Sequence, residues 1–229
     1  MDPRRLRSQL LLSDAVLTLA AKQSLAGVTA TDIAKLAGVN RSTFYEHASS
    51  PEQLLAATLT RELDEIRAVH LAAIDSKASA DQVSDAVSNV ARAVIEHVAA
   101  HDAIYRVALH RDTASPSLHS MLADHFERSI ATLIEVGAVQ LPSGSPASLA
   151  TLAPRSVAYA AVGAIDAWLH SGPGAHRRAG DHSDSTDSRD SGDHSGADNA
   201  PRVDIDDFLR DLQLLFPSWW PFPDEQHSE

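Results

Sequence analysis

Cysteine is absent from all 229 residues, which excludes a disulfide framework and any thiolate metal centre. Aromatic side chains make up only 5% of the chain while alanine is abundant, a balance that favours helices over sheets. No apolar run is long enough to span a bilayer, since the most apolar late stretch, 157–169, is broken by Asp166. The opening Met-Asp-Pro-Arg-Arg-Leu-Arg lacks a cationic start followed by a continuous apolar stretch, so no signal peptide is expected. The chain reads as soluble and cytoplasmic, with no membrane partner. A glycine-rich phosphate loop, a nucleophile elbow and a paired-carboxylate site are also missing, so an enzyme, a catalytic residue or a cofactor is not expected.

What is present is a hydrophobic fraction of 44%, ample for a buried core in a small domain plus a larger one. The net charge of −12 is unevenly spread. Residues 1–60 hold Arg4, Arg5, Arg7, Lys22, Lys35 and Arg41 against Asp2, Asp14, Asp32, Glu46 and Glu52, so the acidic excess lies in the remainder. A near-neutral head on an acidic body suits a protein that presents one end to a polyanion.

Helical periodicity runs through almost every ordered stretch, which predicts an all-α chain of about nine helices. The first, roughly 6–24, stripes Leu12, Ala15, Val16, Leu19 and Ala20 along one side. Thr29 and Asp32 have capping-box spacing for a short second helix that ends at Gly38, and Asn40 is placed to cap a third, 41–47. Pro51 opens a long fourth helix with Leu55, Leu59, Leu63, Ile66 and Ile74 inward. Further helices are expected at about 80–100, 102–110, 116–136, 147–170 and 203–216. Between the last two, 172–200 is built of Gly, Ser, Asp and His without large apolar side chains, so a disordered insertion is expected. The organisation expected is a three-helix head, 1–50, and a helical body, 51–229.

A short helix, a glycine turn and a second short helix form the geometry that seats the latter in a DNA major groove. Arg41, Ser42, Thr43, Tyr45 and Glu46 make that helix polar on one face, while Ile33, Ala34, Ala37, Val39 and Phe44 supply the apolar lock. On Asp14-Ala15-Val16-Leu17, Thr29 to Ala34, Ala37-Gly38-Val39-Asn40, Thr43 to His47 and Pro51 to Leu55, the stretch 12–55 resembles the DNA-binding domain of the TetR family of bacterial regulators. The resemblance implies that Thr29 and Tyr45 touch phosphates, helped by His47 and by Thr31 at the start of the second helix. It implies that Arg41, Ser42 and Thr43 face base edges beside Asn40. Ala20 and Ala48 stand where the family usually has Phe, Leu25 being a candidate to refill the space, and Pro51 replaces a commonly basic residue. Arg4, Arg5 and Arg7 could serve as a basic arm.

The resemblance further implies a homodimer on a palindromic double-stranded operator, released by a small-molecule effector, with repression as the default. The helix 147–170 carries Ala160, Ala161, Gly163, Ala164 and Ala167 along one side. With the amphipathic last helix it is expected to pair with its mate through Val157, Ala161, Ala164, Trp168, Phe208 and Leu212. The expected effector pocket takes in His97, His101, Tyr105, Met121, Phe126 and Tyr159, apolar walls with a few polar groups. His97 and His101 share a helix face, but no metal site is expected, because ordinary core or surface histidines are commoner. Two other readings stay open: a helical protein-interaction module with a degenerate head, and a metal-responsive regulator.

Overall fold

A computed structural model describes residues 2–72, 74–75, 77–109, 116–170 and 204–221. The insertion expected at 172–200 lies outside the described residues. Among these, the chain forms nine α-helices, one short 3-10 turn and no strand. They are α1 (Pro3–Ala20), α2 (Ala30–Ala37), α3 (Arg41–Tyr45), α4 (Pro51–Leu71), α5 (Ala80–Ala100), α6 (Asp102–Leu109), α7 (Pro116–Glu135), α8 (Leu149–His170) and α9 (Ile205–Leu215). No helix here is long and apolar enough to cross a membrane.

The helix ends follow local chemistry. Asp2 accepts from the Arg4 N–H and Pro3 sits in the first turn, so α1 begins three residues earlier than its apolar stripe suggests. Arg4 and Arg5 are therefore helical and not part of a loose arm. Thr29 and Asp32 close the expected capping box on α2, and Gly38 ends it at φ 65°, the left-handed conformation that a β-carbon resists. Ser50 and Ser79 cap α4 and α5 through the amides of Gln53 and Gln82.

In the head, α1 packs across α2 and α4, and α3 lies against α2. Leu12, Val16, Ile33 and Phe44 are fully enclosed there. The 21-residue α4 leaves the head and packs on α5 and α7, with Leu59 and Leu63 buried along its length. The hairpin of α7 and α8 forms the broadest packing in the body, and α9 closes it against α5 and α8, pinned by an Arg92–Asp206 ion pair. One apolar core runs without a break from Leu12 in α1 through Leu59 and Leu63 to Phe208 and Leu212 in α9.

Candidate nucleic-acid interface and effector cavity

Phe44 decides which way α3 faces. Its fully buried ring anchors the helix, and the adjacent Arg41, Ser42, Tyr45 and Glu46 are left in solvent. Tyr45, 51% exposed, meets Phe44 edge-on at 5.4 Å between ring centres. Arg41 folds over Tyr45, its guanidinium 5.4 Å from the ring centre and donating to the hydroxyl at 3.1 Å. Thr43 is half-buried and joins Asn40, Glu46, Ser8, Arg4 and Arg5 around a wide groove between the start of α1 and the α2–α3 turn. Those arginines are the cations that the structure brings to this surface; the Asp2-Pro3 start of α1 was the sequence signal for their placement.

Three of the expected contacts are already engaged within the chain or differ from expectation. The Thr29 hydroxyl donates to Asp32 Oδ2 at 2.6 Å while accepting from the Asp32 N–H at 3.2 Å. That contact holds the Asp32 carboxyl below the usual carboxylate range. His47 Nε2 lies 2.9 Å from Ser8 Oγ, so this half-buried ring ties the end of α3 to α1. Asn40 has extended backbone but its side chain makes no capping bond. Thr31 and Ser42 are exposed on the first turns of their helices.

In the body, a cavity of about 110 Å³ opens between α5, α7, α8 and α9, walled by Val87, Val94, Phe126, Ile130, Leu133 and Trp220. His125 and Ser129 are its polar residues. Burial pushes the His125 imidazole down to about 4, helped by the Arg67 cation. Of the six residues expected to line a pocket, Phe126 is the one that lines this cavity. Met121 packs into the main core and Tyr159 sits on the outer side of α8, beneath Arg155. His97, His101 and Tyr105 gather instead around Glu62 of α4. Helical spacing placed them on one face but could not say which neighbouring helix that face meets.

The dimer residues divide likewise. Val157, Trp168, Phe208 and Leu212 are buried within the chain, with the Trp168 and Phe208 rings stacked at 5.0 Å, and Ala161 lines the cavity. Ala164 packs half-buried against the main core. The side of α8 that faces outward carries Leu152, Tyr159, Ala160, Gly163 and Ala167, and α9 adds Leu214 and Leu215. The small-residue stripe read from the sequence thus splits between two faces.

Ala20 and Leu25 border a second cleft, about 190 Å³, shared with Leu55, Ile104, Ala108 and Leu118. Leu25 packs half-buried against the core that holds Ala20 and Ala48.

Residues 12–58 match the family described as bacterial regulatory proteins, tetR family. A Bacillus subtilis protein, the uncharacterized HTH-type transcriptional regulator YxbF, is 39% identical over 67 residues, which are 29% of this chain and 18% of that protein. The chain thus spans less than a fifth of the length of that curated relative. In structure, the chain is similar to a TetR transcriptional regulator from Streptococcus agalactiae 2603V (TM-score 0.56, 14% identity, 93% of this chain and 96% of that one). It is also similar to Thermus thermophilus FadR, a TetR-family repressor solved with lauroyl-CoA (TM-score 0.52, 17% identity, 90% and 92%).

Proposed function

We propose that this chain, whose residues 12–58 match the tetR family of bacterial regulatory proteins, is a dimeric, ligand-responsive transcriptional regulator that binds a palindromic operator through α3. One observation carries this reading. The α3 helix buries a single large side chain, Phe44, and leaves Arg41, Ser42 and Tyr45 exposed together at the far end of the head. An arginine can read guanine bidentately, and hydroxyls and helix N-termini donate well to phosphates. Residues 1–50 form the DNA-binding unit of this proposal and 51–229 the ligand-binding and dimerisation unit.

A second copy is needed because one recognition helix reads too few bases. The outward face of α8, with Leu152 57% exposed, together with α9, where Leu214 is 83% exposed, is the surface that pairs. The apolar cavity admits a compact hydrophobic effector, or the end of an acyl chain such as the one bound by the Thermus repressor. Because α4 runs from the head past the cavity wall at Leu71, an occupant that favours one tilt of α4 resets the spacing of the two α3 helices. Effector and operator then oppose each other, and repression is the proposed outcome.

The test is fluorescence anisotropy with DNA taken from the promoter beside the gene. Saturable binding that Arg41→Ala weakens and that falls steeply with salt supports the regulator. If the wild-type protein ignores that DNA even at low salt, the head is degenerate and the chain serves as a helical interaction module.

A further inference from the structure

Glu62 of α4 and His97 and His101 of α5 each offer one ligand atom, and the three atoms lie within 4.8 Å of one another. Glu62 Oε2 stands 3.2 Å from His101 Nε2 and 3.7 Å from His97 Nδ1. Ligands on a tetrahedral zinc ion with bonds of about 2.0–2.1 Å sit roughly 3.3 Å apart, so these two edges need little adjustment to close on an ion.

The arrangement has the supports that metal ligands require. Tyr105 Oη lies 3.1 Å from His97 Nε2, so the opposite ring nitrogen, Nδ1, is the one turned toward Glu62. A ligating imidazole held by a hydrogen bond on its other nitrogen has a fixed orientation. Tyr105 is itself fully buried, which fixes that partner in place. Glu62 Oε2 is shielded from solvent, and its nearest donor is His101 Nε2 at 3.2 Å, a contact that holds the carboxyl below its usual range. The carboxylate is thus held ionised between two imidazoles, and a cation among the three would engage all of them at once.

We propose that Glu62, His97 and His101 form a binding site for one divalent transition-metal ion of the zinc class, joining α4 to α5. Two imidazoles and one carboxylate exclude calcium and magnesium, which take oxygen ligands, and suit zinc, nickel or copper. Three protein ligands leave a fourth position for water or an incoming anionic group. The site stands apart from the apolar cavity and does not depend on the regulator reading. Its consequence for α4 is mechanical, since a metal bond at Glu62 fixes the middle of that helix to the end of α5.

Isothermal titration of the full chain with zinc chloride tests it. The chain has twelve histidines, so stoichiometry alone does not locate the ion, and two conservative variants do. One equivalent binds the wild type, and His101→Gln and Glu62→Gln each weaken that binding by at least roughly tenfold, with the far-ultraviolet circular dichroism unchanged. Binding that is absent in the wild type, or equal in all three proteins, overturns the proposal. Zinc-edge X-ray absorption of the wild type with one equivalent needs no variant: two imidazole nitrogens and a carboxylate oxygen support the site, and an all-oxygen shell or three or more imidazoles sink it.

Discussion

Arg41 and Tyr45 leave α3 as a stacked, hydrogen-bonded pair, so the guanidinium is held near one orientation before any DNA arrives. Replacing Arg41 by Ala is expected to weaken specific operator binding by about 1–3 kcal/mol without lowering the melting temperature, because the side chain is solvent-exposed. Anisotropy titration and a thermal melt of the same variant check both halves. Phe44→Ala behaves oppositely: it empties a fully buried position and costs about 3–5 kcal/mol, read by urea unfolding. Sequence could place these two residues because a large apolar side chain amid polar neighbours on a short helix declares its own side. His47 was less legible. It is polar and well placed for phosphate, but its partner is a serine 39 residues away, and that pairing has no local signature.

Helices α5 to α8 were readable nearly to their ends, because capping residues and apolar periodicity are local properties. The helix faces were not, since α8 is apolar almost all round and its period does not say which side meets α7 and which meets solvent. The geometry settles this, and Gly163→Arg follows from it. No atom lies within 4 Å of where a β-carbon would stand at Gly163, so the substitution leaves the fold intact. If the proposed dimer pairs through this face, sedimentation equilibrium should then find a monomer for the variant and a dimer for the wild type; an unchanged mass places the pairing surface elsewhere. The cleft beside Ala20 gives a prediction of opposite sign. Ala20→Leu extends into that space between α1, α4, α6 and α7 and is expected to raise stability by about 1 kcal/mol, seen as a higher denaturant midpoint at constant slope.

Buried His125 and half-buried His97 contribute to the response of the molecule to acid. Burial drives both His97 and His125 down to about 4 from an ordinary 6.5. The unfolded chain therefore binds more protons than the folded one between those values. Stability is undiminished above pH 6.5 and falls as pH drops through that window, by up to about 1.4 kcal/mol per unit for each histidine. Urea midpoints across this range measure the slope, and His125→Asn should flatten it.

The unbroken apolar core from Leu12 to Leu212 has an energetic consequence that the proposed division at residue 50 conceals. Leu54, Leu55, Leu59 and Leu63 of α4 belong to that same core, with head residues at one end of it and body residues at the other. Calorimetry should therefore record one endotherm in which recognition surface and effector cavity are lost together. A fragment cut after residue 50 would surrender its α4 packing and behave as a collapsed, exchanging chain.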